Sequence, residues 1–352
     1  MRKVLFVITT ENHARMFLPL ALSRPKDCGY YITHLSRARA IKQVIRKLDP
    51  KNVIKNYNFN NLFKDILTTN NIYIFPLNHR HSHYSQGPQY RNFMLTPLDQ
   101  LASTVVSMSQ GYWLPKEQEQ SPRVHINITR SLYEFKLCGG NVNTWNYQVG
   151  EPGLDYKGYK PQFKPTSQWK AVGMFTTQDI TPTHKPNIRK RKELLPLMLK
   201  DLVLMKKKVP TVEKLILNDH PGSSKADLFY HKDVKKVCKK INIKCTIMPR
   251  GACDPSALAQ HMQAALVQGT FPTHIALRKE GVQSFLYISP LESTHQGRAF
   301  KNINMPMETH YSHWTQGQFS PSKYDKYIRS LFLLDGHVAD RFFDAVYSRQ
   351  KE

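Results

Sequence analysis

Pro272, Thr273 and His274 stand in a row three residues after Gly269, ahead of a short apolar-spaced stretch that closes on Gly281. A hydroxyl, an imidazole and the unbonded amides of a first helical turn can together receive an anion, because the helix dipole adds positive charge where those amides point. A helix that begins at Thr273, with Pro272 holding the preceding turn open, is therefore expected to cradle a diphosphate. Two further donor groups are read from neighbouring turns: His220 in Asn218-Asp219-His220-Pro221-Gly222, and Arg250 after the apolar run 243–249. Near the start, Glu11 and His13 follow an apolar run, where a group titrating near neutrality can serve as a general base; their other reading is as caps of the first helix. His79, His81 and His83 alternate, so a strand would set all three on one face, as a metal site requires. No carboxylate cluster stands beside them and no metal is expected, so these histidines and Gln110 are read as groups on the acceptor side of a cleft.

These residues need a scaffold, and the hydrophobic pattern supplies one. Apolar runs at 3–10, 30–36, 71–77, 104–111 and 123–129 read as strands, with helix-like periodicity at 13–24 and 38–48. Continuous apolar strands alternating with helices indicate a parallel sheet covered on both faces. The stretch 147–168 is rich in Gly, Pro and aromatic residues and reads as a linker. Beyond it the pattern restarts, with strands at 169–177, 212–222, 243–249 and 283–289. Helices are expected at 192–207, 231–241 and 254–269, the last with Asp254 as N-cap and Pro255 at its first position. Two final helices fall within 323–349, broken at Asp335-Gly336. The expected fold class is α/β, with two doubly wound, Rossmann-like parallel-sheet domains in tandem. Domain 1–150 precedes a linker, 151–168, a second domain, 169–322, and helices at 323–352 that cross back to the first. Ligands of such sheets bind beyond the carboxyl ends of the strands, where the candidate residues fall.

Composition bounds the partners. With 40% hydrophobic residues in 352, packed domains are expected and disorder is not. No run reaches the ~18–20 apolar residues of a membrane span, and none reads as a secretory signal. The five cysteines are scattered without metal-site spacing, which fits a reduced, cytoplasmic protein. Fifty-one Lys and Arg against 26 Asp and Glu give a formal charge of +25. Such an excess implies a polyanionic neighbour: an acidic membrane surface, an anionic glycan or nucleic acid.

The order of parts resembles the GT-B glycosyltransferase superfamily. His220-Pro221 at a strand end, then Pro272-Thr273-His274-x-Ala276 running to Gly281-Val282-x-Ser284, resembles its donor domain. The likeness is nearest to bacterial enzymes building capsule, lipopolysaccharide and teichoic-type polymers, and to nucleotide-sugar 2-epimerases. The run 104–111 resembles a strand of these enzymes that ends in His-Gly, with Gln110 in place of the histidine. Residues 149–155 resemble the segment closing their first domain, and 335–346 their final helix. The resemblance covers nearly the whole chain. It implies metal-independent transfer of a sugar from a nucleotide-activated donor to an anionic or membrane-attached glycan, with no cofactor beyond that donor substrate. His220, Arg250, Pro272, Thr273 and His274 would hold the donor, Glu11 or His13 would act as base, and the protein would sit in the cytoplasm, peripheral to the membrane's inner face. Three alternatives stay open: a phage-type DNA-base glycosyltransferase, a nucleotide-sugar 2-epimerase, and a GT-B-like protein that binds nucleic acid without catalysis. Many donor sites of this kind carry a carboxylate four or five residues before the closing glycine; here those positions are Leu277 and Ala276.

Overall fold

The computed structural model of the chain describes residues 2–8, 11–32, 38–49, 54–56, 59–76, 97–108, 124–131, 145–155, 159–176, 185–219, 230–249, 255–268, 271–287, 310–318 and 320–348. They form two compact units, Met1–Tyr159 with Tyr327–Glu352, and Lys160–Lys326. Each is built on one parallel sheet, so the fold is α/β with two doubly wound, Rossmann-like units.

The first sheet has seven strands: β1 (Val4–Ile8), β2 (Cys28–Ile32), β3 (Ile54–Asn56), β4 (Ile72–Phe75), β5 (Thr104–Met108), β6 (Ile126–Thr129) and β7 (Trp145–Gln148). Their order is β3-β2-β1-β4-β5-β6-β7. All five residues of β1 are buried, and the pleat divides them between two cores. Val4, Phe6 and Ile8 join one with α1 (Glu11–Ser23) and α2 (Ala38–Leu48). Leu5 and Val7 join the other with Leu62 and Ile66 of α3 (Phe59–Thr68). A strand buried on both faces cannot alternate apolar with polar, hence the uninterrupted run. A short helix, α4 (Pro152–Asp155), follows β7.

The second sheet has the order β10-β9-β8-β11-β12, with β8 (Ala171–Phe175), β9 (Lys214–Asn218), β10 (Lys244–Ile247), β11 (Ala264–Gln268) and β12 (Gln283–Tyr287). Its helices are α5 (Lys185–Lys208), α6 (His231–Lys240), α7 (Pro255–Leu258), α8 (Phe271–Lys279) and α9 (Tyr311–Thr315). Leu194, Met198, Leu202 and Met205 of α5 fill one core with Val172, Met174, Leu215 and Leu217 from the sheet. Trp314 packs against that core and stacks on Trp169, with ring centroids 5.9 Å apart.

The chain returns through α10 (Pro321–Phe332) and α11 (Val338–Tyr347). Within the first unit, Asp155 accepts hydrogen bonds from the amides of Gly336 at 2.8 Å and Val338 at 2.9 Å, and Arg341 Nε donates to the Val149 carbonyl at 2.8 Å. Gly150 has φ +101°, and a Cβ there would lie 2.5 Å from the Phe332 carbonyl oxygen. The segments 149–155 and 335–346, distant in sequence, thus meet as one closure.

Several sequence expectations change. The helix expected over 254–269 is instead the single turn α7, a 3-10 turn (Ala259–His261) and the fully buried strand β11. Ala, Gln, Leu and Met favour helix locally, yet Ala264–Gln268 pairs on both sides, with β8 and with β12, and a central strand outweighs propensity. Residues 145–148, partly assigned to the linker, add β7 to the first sheet. Helix α8 begins at Phe271, two residues before the expected start at Thr273. Asp254 lies outside the described residues.

Candidate functional site

In the second sheet the chain steps outward from β8 to β9 and β10, then returns to β11 beside β8 and leaves the other way through β12. Connections leaving β8 and β11 at their carboxyl ends therefore diverge, which is the crevice where doubly wound sheets bind ligands. α8 starts three residues after β11 ends, so its first turn opens on that side.

One face of α8 is fixed from within. His274 is fully buried; its Nδ1 hydrogen-bonds Ser284 Oγ of β12 at 2.8 Å and its Nε2 the Tyr324 hydroxyl of α10 at 3.1 Å. Burial, reinforced by the Arg278 charge, holds this imidazole well below the usual histidine range, so it is neutral. One turn on, Arg278 is also fully buried. Its Nε and Nη2 each lie 2.9 Å from Asp325 Oδ1, and its Nη1 donates to the Ser284 carbonyl at 3.2 Å. The guanidinium lies 4.6 Å from the Phe163 ring centroid and 5.0 Å from that of Tyr324. His274, read from sequence as a phosphate ligand, is thus an internal anchor, because both ring nitrogens are engaged inside the unit. Thr273 is half-buried in the first turn, with Pro272 before it. The helix ends in a Schellman turn: the Val282 amide reaches the Leu277 carbonyl, and the Gly281 amide the Arg278 carbonyl. Gly281 has φ +80°, and a Cβ there would sit 2.8 Å from the Gln162 carbonyl oxygen. Leu277, at a position where a carboxylate is frequent, belongs to the core.

At the carboxyl end of β9, sequence reasoning missed a hub. Asp219 is buried and accepts from Thr176 Oγ1 at 3.1 Å, from the Tyr230 hydroxyl and from His231 Nε2 at 2.8 Å. These donors come from the end of β8 and the start of α6, so Asp219 ties both to the carboxyl end of β9. His220 and Arg250 lie outside the described residues, as do His79, His81, His83 and Gln110.

The first sheet has its own switch point, between β1 and β4. Glu11 opens α1 there, and His13 is buried in the first turn at 2% exposure. After β6, Arg130 forms a buried ion pair with Glu151, Nη1 to Oε2 at 2.9 Å, and the same nitrogen lies 3.5 Å from Met16 Sδ of α1. Nothing local in the sequence marks this pair. Among the described residues no group of three His, Cys, Asp or Glu is placed to hold a metal.

No protein-family description matches the sequence, and no curated protein matches it. Solved structures do. A UDP-N-acetylglucosamine 2-epimerase aligns over 100% of this chain and 97% of its own, with TM-score 0.57 and 13% identity. The S. aureus protein MnaA, solved with UDP, aligns over 100% and 97%, with TM-score 0.53 and 12% identity. The fold is of the GT-B type. S. aureus TarM, in complex with Fondaparinux, alpha-GlcNAc-glycerol and UDP, shares this GT-B architecture over 98% of this chain and 100% of its own, with TM-score 0.51 and 10% identity. At such identities the likeness speaks to the GT-B fold and to no single activity.

Proposed function

We propose that this chain is an enzyme acting on a nucleotide-activated sugar, transferring that sugar to an anionic or membrane-attached glycan. The observation that carries the reading is α8: its inner face is fastened by His274 and Arg278, leaving its first-turn amides and the Thr273 hydroxyl at the switch point of the second sheet. Two GT-B structures of similar fold were solved with UDP, which supports a nucleoside diphosphate as the ligand. In this reading Pro272 stands in the first turn of α8, where its fixed φ suits the helix start, and His220 and Arg250 contribute further contacts to the donor. Glu11 or His13, at the head of α1, takes the proton from an acceptor hydroxyl. The acceptor oxygen then bonds to the anomeric carbon as the bond to the diphosphate breaks. Charge building on the departing diphosphate meets fixed amides and the Thr273 hydroxyl, so no metal is needed to receive it. Among the described residues no helix is long and apolar enough to cross a membrane, and attachment in this reading is peripheral.

The test is a thermal-shift screen of nucleoside diphosphates and nucleotide sugars, repeated on Thr273→Ala. Loss of a hydrogen bond to a charged group is expected to weaken binding by roughly 1–3 kcal/mol without altering the melting temperature of the unliganded protein. Unchanged affinity in the folded variant refutes the site. Epimerisation is the second reading, since the fold is shared with a UDP-N-acetylglucosamine 2-epimerase and the fold alone does not separate the two reactions. With nucleotide sugar alone, an epimerase accumulates the epimer, whereas a transferase consumes donor only when acceptor is present.

A further inference from the structure

The edge of the second sheet opposite the candidate site carries a different chemistry. Lys214 and Lys244 open β9 and β10 in register with each other, and Lys170 directly precedes β8, whose Ala171 pairs with Lys214. Helices α5 and α6 connect parallel strands and so run back to this same edge, where Lys207 and Lys208, then Lys239 and Lys240, stand exposed in their last turns. Lys206 differs: its Nζ donates to the carbonyls of Pro210 and Val212 and belongs to the chain's own turn. Glu213 is an acid set among these lysines.

Helix dipoles favour lysines at the ends of α5 and α6. They do not account for Lys170, Lys214 and Lys244 at strand starts, where like charges in register oppose folding. Charge gathered against its own repulsion indicates an external anion. Every one of these residues is lysine, a hydrated and flexible point charge suited to a diffuse field, and none offers the rigid fork with which arginine reads a single phosphate. Among the described residues no exposed aromatic stands with them to stack on a nucleobase. On α5, Val203 is 40% exposed one turn before Lys207. Apolar side chains beside lysines suit the headgroup region of a bilayer.

We propose that this lysine edge of the second unit is a contact surface for an anionic lipid bilayer. The proposal stands on charge and topology and does not depend on the sugar-nucleotide reading. The full chain is mixed with vesicles of phosphatidylcholine, with or without phosphatidylglycerol, and floated on a density gradient. It is expected to float with the acidic vesicles only, and less at higher salt. Replacing Lys214, Lys239, Lys240 and Lys244 together by Gln should lower the partition coefficient about fivefold per lysine, several hundredfold in all. The same charge removed at Lys3, Lys26, Lys64 and Lys323, all exposed, should leave most of the binding. Lys214→Gln alone relieves the in-register repulsion, so it should melt no lower than wild type while floating less. Equal losses in the two quadruple variants, wild-type protein that ignores acidic vesicles, or its displacement from them by duplex DNA of equal total charge would overturn the proposal.

Discussion

Asp325→Ala would leave the Arg278 guanidinium fully buried with its ion-pair partner gone. The wild-type group has two contacts of 2.9 Å to one carboxylate oxygen and one of 3.2 Å to a carbonyl, between two aromatic rings. Removing one partner of a buried pair costs roughly 3–5 kcal/mol, because the remaining charge stays desolvated. The Ser284 carbonyl and the rings remain and recover about 1 kcal/mol. The net loss is expected at about 2–4 kcal/mol, or roughly 5–15 °C in the melting of the second unit. Trp169 and Trp314 stack in that unit, so urea unfolding followed by tryptophan fluorescence reports on it. Asp325→Asn keeps an acceptor and should lose less, and Arg278→Met with Asp325→Leu should lose least, since a buried pair exchanged for apolar groups is often neutral. A loss below about 1 kcal/mol in Asp325→Ala, or a double variant as unstable as the single, would refute the claim that the pair anchors α8.

Acid sensitivity follows from two histidines held neutral by burial: His274 well below its usual range, and His310 lowered to about 4 by burial and then by His313. The unfolded chain binds these protons near pH 6.5 and the folded chain does not, so stability is intact above that pH. It should fall by about 1.4 kcal/mol per pH unit for each histidine as pH drops, in the case of His310 until about 4. Urea titrations between neutrality and pH 5 check the slope; His310→Gln should remove one histidine's share, and an unaltered slope speaks against it. Cys245 should be the fast thiol: the Cys238 thiol hydrogen-bonds to it and Lys235 is near, lowering it to about 7, whereas burial pushes Cys28 up to about 12. Iodoacetamide near neutral pH, read by peptide mass spectrometry, should label Cys245 well before Cys28, and the reverse order would contradict the contact.

What the sequence disclosed depended on how locally each feature is determined. Central strands such as Val4–Ile8 are apolar throughout because both faces are covered, so they read directly. β3 and β7 escaped because they are short, polar edge strands, Ile54–Asn56 and Trp145–Gln148, whose pairing depends on the neighbouring strand. β11 was masked by helix-favouring residues. At the site, the helix that carries Pro272 and Thr273 was legible from its own glycine and proline, though it starts two residues earlier than expected. The inward turn of His274 was not, since its partner Tyr324 is 50 residues away. The Asp219 hub and the Arg130–Glu151 pair escaped for the same reason: each joins groups from different strand ends.

The first unit is discontinuous, and this bears on how the chain is made. Asp155 waits for the Val338 amide, 183 residues later, and Phe6 for the ring of Phe342. At ribosomal speeds of ~5–20 residues per second, that wait lasts roughly 10–40 s. Through it, the apolar face that Phe342 and Phe343 will cover is open to water. The second unit is complete by Lys326, so it can fold while the first still lacks its last helix. The part synthesised first is therefore the part finished last. A nascent chain stalled before α11 would present a seven-stranded sheet with its closing helix missing, a natural client for chaperones that hold exposed apolar surface.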